Sequence, residues 1–272
     1  MCETCGCENN NEVQFLKPGE SKNKSSEQGH HYHHHHKDEG HNHSHSHHHH
    51  EEAAGSQLKE LEIQKDILGK NNLMAAQNRG FFDALKITAF NMVSSPGSGK
   101  TTILEKTITD NKDSIPFFVI EGDQQTTNDA DRIDKTGAPV IQINTGNGCH
   151  LDANMVHRAC HKLQLKQNAF LVIENVGNLV CPSLFDLGED KRILIFSVTE
   201  GDDKPEKYPT MFNTSDVCII NKIDLLPYVD FDMAKAQHLA SRLNPNMKIF
   251  EISAKTGEGM PAWYKWLAKQ AK

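Results

Sequence analysis

No run of apolar residues in this 272-residue chain approaches the roughly 18 residues that a membrane-spanning helix needs. The first residues have neither the basic stretch nor the apolar stretch of a secretory signal, so we expect neither export nor membrane insertion. Lysine and arginine are also fewer than aspartate and glutamate, 29 against 36. The resulting formal charge of −7 argues against nucleic acid as a main partner, because binding phosphates requires a basic surface.

The chain has seven cysteines, and three of them crowd its start as Cys2, Cys5 and Cys7. An odd number clustered in this way does not fit a disulfide framework. It favours metal-ligand cysteines in a reducing compartment, so the sequence predicts a cytoplasmic protein.

Residues 1–56 contain few large apolar side chains, and we expect them to be disordered without a ligand. Thirteen of the seventeen histidines lie between His30 and His50. A purification tag is one explanation, but tags are terminal and uninterrupted, whereas this tract is internal and mixed with Asp, Glu, Asn and Ser. We interpret residues 1–56 as a metal-binding segment.

Two further regions follow. Residues 57–85 have apolar residues at helical spacing and predict a helical linker, interrupted between Gly69 and Asn72 and anchored by Phe81, Phe82 and Leu85. Residues 86–272 alternate helical stretches with seven short apolar runs: ITAFNMV, FFVIEG, VIQIN, FLVIEN, ILIFSV, VCIINK and KIFEIS. Runs that are apolar on both faces predict one α/β domain with a mostly parallel, doubly wound sheet.

The stretch SSPGSGKTT lies between the first of these runs and a helical segment. It matches the phosphate-binding P-loop, with Ser94 in place of the usual first glycine. Glycines let backbone N–H groups approach the phosphates, the lysine reaches the β- and γ-phosphates, and the threonine hydroxyl can ligate Mg²⁺. The alternative is an accidental Gly/Ser turn. The predicted nucleotide-binding residues here are Gly97, Ser98, Gly99, Lys100, Thr101 and Thr102.

Two downstream motifs indicate which base is bound. In NKID, the Asp224 carboxylate can accept hydrogen bonds from N1–H and the 2-amino group of guanine, which adenine lacks, while Lys222 packs on the purine. In SAK, a backbone N–H of Ser253, Ala254 or Lys255 can meet guanine O6. Together with Asn221, these residues predict a guanine pocket beside the P-loop.

Acidic residues end two of the predicted strands. Asp123 in EGDQQT and Glu174 in the ExxG stretch IENVG are candidate Mg²⁺ and catalytic residues together with Lys100 and Thr101, although either carboxylate could instead cap a loop. No glutamine follows Gly177 to orient an attacking water, so we expect slow intrinsic hydrolysis.

Three soft-donor side chains occur in loops that also follow predicted strands: Cys149 and His150 in GCHLDA, and Cys181 in NLVCPS. Thiolate and imidazole are donors that Zn²⁺ and Ni²⁺ favour, and three ligands leave one coordination position open or completed by a second copy of the chain. A buried cysteine or a capping histidine is the alternative for each residue alone. Cys160 and Cys218 fall within helix and strand patterns and are predicted to be core residues, and His157, His161 and His238 to lie on helix surfaces.

The motifs CxxCxC, NMVSSPGSGKTT, EGDQQT, GCHLDA, IENVGNLVCP, VTEGDDKPEKYP and NKIDLLP, with the histidine tract, resemble the HypB family over nearly the whole chain. This family comprises the nickel-incorporation GTPases of NiFe-hydrogenase maturation. The resemblance implies GTP, Mg²⁺, Ni²⁺ and Zn²⁺ as ligands, and a homodimer through the GTPase domain with Cys149, His150 and Cys181 at its interface. It also implies contact of Lys204 or Lys207 with nucleotide across the dimer.

The resemblance further implies a small zinc-binding HypA partner, the hydrogenase large-subunit precursor as the recipient of nickel, and the prolyl isomerase SlyD. Cys2, Cys5 and Cys7 can then give three thiolates to one Ni²⁺, with an N-terminal amine as the fourth donor, and the histidine tract becomes a nickel reservoir. Incidental thiols at a flexible terminus are the alternative. A storage protein with a vestigial P-loop and a P-loop kinase of a small metabolite stay open as other functions.

Overall fold

The computed structural model describes residues 13–18, 51–124 and 128–272, and among residues 51–61 it describes the backbone alone. These residues fall into two compact units. The larger unit contains residues 13–18 and 68–272, and the described part of the smaller unit is the helical stretch 51–67. Cys2, Cys5, Cys7 and the histidine tract lie outside the described residues, so the predictions made for them stay predictions.

The larger unit is built on an eight-stranded sheet in the order β1-β4-β3-β5-β2-β6-β7-β8. The strands are β1 (Gln14–Leu16), β2 (Thr88–Ser94), β3 (Phe117–Asp123), β4 (Val140–Asn144), β5 (Phe170–Glu174), β6 (Lys191–Ser197), β7 (Val217–Asn221) and β8 (Lys248–Glu251). All pairings are parallel except that of β1 with β4. Each of the seven predicted strands is confirmed, as is the mostly parallel doubly wound sheet.

The helices are α1 (Glu51–Ala84), α2 (Lys100–Asn111), α3 (Asn128–Asp134), α4 (Ala153–Leu163), α5 (Lys204–Lys207), α6 (Pro209–Asn213), α7 (Met233–Leu243) and α8 (Met260–Ala268). They cover a sheet whose central strands β2, β4, β5 and β7 are buried along their whole length. Burial on both faces explains why these strands are written as continuous apolar runs. No helix in the described part of the chain is both long and apolar enough to cross a bilayer.

Two expectations about the N-terminal third are wrong. Helix α1 is continuous through Gly69 to Asn72, where a break was predicted. One glycine in a helix costs only about 1 kcal/mol, and Asn71 here donates to the Asp186 carbonyl at 2.8 Å, which holds the helix in place. Strand β1 also forms within the segment expected to be disordered, because its backbone pairs with β4 and adds one strand to that end of the sheet.

The end of α1 is anchored as predicted. Phe82 is fully buried in a cluster with residues of the sheet and α4, and Phe81 and Leu85 pack against that cluster. Arg79 also forms a salt bridge of 2.9 Å with Asp186.

The sheet brings the predicted site residues to one edge. The carboxyl ends of parallel strands share an edge, and ligands of open α/β sheets bind there. The P-loop follows β2, Asp123 ends β3, the Cys149–His150 loop follows β4, Glu174 ends β5, and Asn221 ends β7.

Candidate functional site: a nucleotide cleft joined to a thiolate–imidazole cluster

A cleft of about 570 Å³ opens at the carboxyl edge of the sheet, and the P-loop forms its floor. Gly97 and Gly99 have φ values of +75° and +95°, which ordinary side chains avoid. A Cβ on Gly99 would also lie 2.5 Å from Asn221 Nδ2. Glycine is therefore required at position 99 both for backbone conformation and for space, and the cradle fits a phosphate chain.

Lys100 and Thr101, at the start of α2, converge on Glu174. The Lys100 ammonium lies 3.0 Å from Glu174 Oε1, and the Thr101 hydroxyl donates to the same oxygen at 2.7 Å. Glu174 Oε2 is buried without a nitrogen or hydroxyl donor among the described residues. A hydroxyl and a carboxylate at this spacing fit the hard oxygen ligands that Mg²⁺ prefers.

A second carboxyl group, Glu121, was missed in the sequence. It is the register neighbour of Glu174 on the adjacent strand β3. Burial and the Glu174 carboxylate raise the pKa of Glu121 well above its ordinary value, so Glu121 holds its proton more readily than an exposed carboxyl group does. Burial opposes the charge on Lys100, but the nearby acidic groups, and Glu174 above all, outweigh this effect and raise the pKa of Lys100. Its ammonium stays charged in the cleft.

Asp123 also lines the cleft, together with Asp129 and Arg132 of α3. Arg132 donates to Glu105 Oε2 at 2.6 Å and to the Thr102 hydroxyl at 3.0 Å. Asp129 was one of the carboxylates that the sequence offered for Mg²⁺, although Asp123 and Glu174 were preferred. Arg132 was assigned no site role from the sequence, and its position shortly after the EGDQQT motif was the available signal.

The guanine motifs meet beside the P-loop. The Ser253 hydroxyl donates to Asp224 Oδ1 at 2.6 Å, so the base-reading carboxylate predicted from NKID is held by the SAK loop. Lys222 Nζ donates to the Gly97 carbonyl at 2.7 Å. The aliphatic stem of Lys222 thus runs between the two predicted subsites, while Lys255 is exposed on the SAK loop.

Asn221 is a structural link rather than an open binding group. Its side chain is buried, donates to the Ser98 carbonyl at 2.8 Å, and accepts from the Ala254 N–H at 3.2 Å. The P-loop and the SAK loop are therefore fixed to each other. The Ala254 N–H, one of the donors considered for guanine O6, is used in this bond.

Of the two lysines in the DDKPEK stretch, Lys204 lies at the P-loop of its own chain. Its ammonium donates to the Ser95 hydroxyl at 2.9 Å and pairs with Glu200 at 3.1 Å. Lys207 is exposed and pairs with Asp203 at 2.7 Å.

The three predicted soft donors come together. The ligand atoms of Cys149, His150 and Cys181 all lie within 4.8 Å of one another, and Cys149 Sγ is 3.6 Å from His150 Nδ1. His150 is buried against the Phe185 ring, with centroids 4.0 Å apart. Burial lowers the pKa of His150, although Asp152 acts in the opposite direction, so its imidazole is neutral and available as a ligand near pH 7. This set of donors fits Ni²⁺ or Zn²⁺.

The two other cysteines among the described residues, Cys160 and Cys218, are buried in the core. Burial raises the pKa of the Cys160 thiol to about 12 and raises the pKa of the Cys218 thiol further, so both were correctly predicted as packing residues.

Asn175 connects the cluster of Cys149, His150 and Cys181 to the nucleotide cleft. It was not identified as a functional residue from the sequence. Its buried Oδ1 accepts from Leu151 N at 3.1 Å, immediately after His150, and from Val176 N at 3.0 Å. Its own N–H donates to the Met92 carbonyl on β2, two residues before the P-loop. In the same turn, a Cβ on Gly177 would lie 3.3 Å from Pro96 of the P-loop.

A second connection runs through Thr145. Its N–H donates to the Asp123 carbonyl at 2.9 Å, and its hydroxyl donates at 2.7 Å to the carbonyl of Gly148, which precedes Cys149. Loops that line the cleft and loops that carry the soft donors therefore share hydrogen bonds.

Comparison with known proteins agrees with this geometry. The family model "CobW/HypB/UreG, nucleotide-binding domain" matches residues 88–251. The hydrogenase maturation factor HypB of Escherichia coli K12 is 55% identical over 215 residues, which cover 79% of this chain and 74% of that protein. A probable HypB of Methanocaldococcus jannaschii is 43% identical over 78% of this chain and 96% of its own length.

A solved structure is also similar. HypB from Helicobacter pylori in complex with nickel superimposes with a TM-score of 0.71 at 42% identity, over 74% of this chain and 94% of that one. With a family model matching more than half of its length and relatives at this identity, the chain belongs to the HypB family of hydrogenase maturation factors and carries its nucleotide-binding domain.

Proposed function

We propose that this protein hydrolyses GTP to control the binding and release of nickel, and that it delivers nickel to the large-subunit precursor of a NiFe hydrogenase. The observation that carries the proposal is the physical continuity between the two sites. Cys149, His150 and Cys181 form a soft-donor cluster, and Asn175 and Thr145 hydrogen-bond its loops to those of the P-loop cleft. The relative with bound nickel supports the choice of cargo.

In this proposal, GTP occupies the cleft with its phosphates on the P-loop and its base at Asp224. Lys100 remains charged and contacts the β- and γ-phosphates, while Asp224 rejects adenine because adenine has no donor at N1. Thr101 and Glu174, with Asp123, would hold Mg²⁺, which when bound neutralises charge on the phosphate oxygens. No glutamine follows Gly177, and intrinsic hydrolysis is therefore expected to be slow.

Nucleotide state changes the metal site because the loops are shared. A shift of the Glu174–Gly177 turn moves Asn175, which holds the backbone beside His150. Thiolate and imidazole ligands bind nickel tightly only when they are correctly placed around the ion. Loss of the γ-phosphate displaces these ligands and thereby lowers the affinity for nickel. By linkage, nickel binding changes GTP affinity by the same factor.

The cluster offers three donors within one chain. Exposed apolar side chains flank Cys181, with Val180 59% and Leu184 56% exposed. This surface suits contact with a second copy of the chain, which would complete the coordination, and we propose a nucleotide-dependent homodimer at this face. Zn²⁺ competes with Ni²⁺ for such donors.

The N-terminal segment is proposed as the high-affinity nickel store, with Cys2, Cys5 and Cys7 as thiolate ligands and the histidine tract as a reservoir of weaker sites. A HypA-like zinc protein, the hydrogenase precursor and SlyD are the proposed partners. The cytoplasmic location stays a prediction from the sequence.

Phosphate release with GTP and ATP in parallel, with and without Ni²⁺, tests the proposal. We expect phosphate release from GTP and not from ATP. Without partner proteins, the single-turnover rate with GTP should be below roughly 1 s⁻¹. Lys100→Ala should abolish turnover and leave N-terminal nickel binding intact, whereas replacing Cys2, Cys5 and Cys7 should do the reverse. Absence of GTP turnover would instead support a storage protein with a vestigial P-loop, and preference for ATP would support a kinase.

A further inference from the structure

Two histidines on α4 lie outside the site described above. His157 and His161 are four residues apart and thus on the same helix face. Their Nε2 atoms are 3.1 Å apart, and their rings are perpendicular with centroids 4.6 Å apart. From the sequence they were predicted to be ordinary surface residues, but His157 is partly buried and hydrogen-bonded, and only His161 is exposed.

The protonation of His157 is set by Asn78 of α1. The Asn78 amide nitrogen donates to two carbonyls, Ala153 O at 2.8 Å and Leu187 O at 3.0 Å. Only the NH₂ group can make both bonds, so the acceptor Oδ1 faces His157 Nδ1 at 3.0 Å. Nδ1 must carry the hydrogen, and the lone pair of the neutral ring is on Nε2, the atom that faces His161.

This arrangement is the one that metal-binding histidines use. A ligating imidazole donates its other N–H to an oxygen acceptor, which fixes its tautomer and orientation. Asn78 does this for His157 and is itself buried and held at both of its N–H groups. His161 is positioned by stacking on Phe81, with ring centroids 6.0 Å apart and planes at 28°.

The spacing of the two nitrogens fits one cation. With metal–nitrogen bonds of about 2.0–2.1 Å, two adjacent ligand nitrogens are about 2.8–3.0 Å apart at a right angle and about 3.3–3.4 Å apart in a tetrahedron. The observed 3.1 Å lies between these values. Neither side chain has to move far to bind the same ion.

We propose that His157 and His161 form a second transition-metal site of the folded domain, which takes one Ni²⁺, Cu²⁺ or Zn²⁺ ion with water completing the coordination. A cation takes the place of the hydrogen between the two Nε2 atoms, and neutral His161 then carries its proton on Nδ1. With two imidazoles and no thiolate, this site is weaker and faster to exchange than the cluster of Cys149, His150 and Cys181.

The position of the pair suggests its use. Helix α4 begins three residues after His150, and at 1.5 Å per residue His157 lies about 6 Å along the helix from its first residue. Along the chain, the pair is separated from His150 only by a short loop and the first turns of α4. It offers imidazole ligands of the same kind as those in the histidine tract of this chain. The pair would hold a metal ion during its transfer from the imidazoles of the histidine tract to the thiolates of Cys149 and Cys181.

Carbethoxylation of histidines by diethyl pyrocarbonate, read peptide by peptide by mass spectrometry, tests the site in the full-length protein. Free Ni²⁺ is buffered by a chelator, so that N-terminal ligands do not alter its concentration. His238, exposed on α7, is the matched control within the same chain. We expect His161 to be half-protected at a free Ni²⁺ concentration at least tenfold lower than His238 requires.

Variants make the test decisive. His157→Gln should raise the Ni²⁺ needed to protect His161 at least tenfold, and Cys181→Ala should leave it within twofold, which separates this site from the cluster and from dimerisation. If circular dichroism shows that His157→Gln does not fold, the reciprocal variant His161→Gln, at an exposed position, is used with His157 as the reporter. Parallel protection of His161 and His238, or protection unaffected by loss of the partner histidine, would overturn the proposal.

Discussion

Replacing Asn175 with alanine is the sharpest structural perturbation of the link between the two sites. The change removes the acceptor of two buried backbone N–H groups, those of Leu151 and Val176, and a weaker bond of 3.3 Å to Asn91. Each unsatisfied buried group costs about 1–3 kcal/mol. A water molecule in the space left by the side chain would recover part of this, so we expect the free energy of unfolding to fall by about 2–4 kcal/mol.

Beyond this loss of stability, the replacement should change how nucleotide affects nickel binding. If Asn175 transmits nucleotide state to His150, the ratio of Ni²⁺ affinities between the GTP-analogue and GDP forms should fall below twofold in Asn175→Ala. Urea denaturation and nickel titration of both nucleotide forms measure the two effects, with the exposed Asn246→Ala as control, expected within about 0.5 kcal/mol of the unchanged protein. A variant destabilised as predicted that keeps the full affinity ratio would refute the role of Asn175.

Three further predictions concern single residues of the site. Gly99→Ala should abolish nucleotide binding, because the added Cβ would meet Asn221. Gly97 also has a positive φ but open space around it, so Gly97→Ala should lower stability by only about 1–2 kcal/mol of backbone strain. Thermal unfolding of both variants with and without GTP measures the stability and the nucleotide binding of each. Asp224→Asn should shift preference from GTP towards xanthosine triphosphate, whose 2-oxo group needs a donor, and competition binding would detect it; retained GTP preference would contradict the assignment. Burial holds the pKa of His150 below its unfolded value of about 6.5, so the unfolded state takes up the proton first and stability falls as pH drops below that value. Urea midpoints at pH 7.5 and 5.5 should therefore differ less in His150→Gln, and an equal difference would contradict this source of pH dependence.

Much of the fold is visible in the sequence because the central strands are buried on both faces. Such strands are continuous apolar runs such as FFVIEG and VCIINK, and each occurs where it was predicted. Strand β1 was missed because its formation depends on pairing with β4, and three residues carry too little pattern to predict it. The break predicted in α1 failed for a related reason, since tertiary contacts of Asn71 outweigh the local effect of Gly69.

The site divides in the same way. Lys100, Thr101 and Asp224 belong to motifs whose spacing reflects their chemistry, and Cys149, His150 and Cys181 were grouped by ligand type. The residues that join these groups carry no such signature. In the sequence, only its position next to Glu174 distinguishes Asn175 from any other buried asparagine. The proximity of Glu121 to Glu174 depends on the register between β3 and β5, which the sequence does not reveal.

The rate at which nickel leaves the folded domain tests the central claim most directly. The full-length protein with Cys2, Cys5 and Cys7 replaced by serine is loaded with Ni²⁺ and mixed with excess chelator, and the slow phase that Cys149→Ser and Cys181→Ser remove is assigned to the cluster. We predict that this phase is at least about fivefold slower with a non-hydrolysable GTP analogue than with GDP, the lower bound of a typical coupling between two sites. The same rate with the GTP analogue, with GDP and without nucleotide would contradict the account.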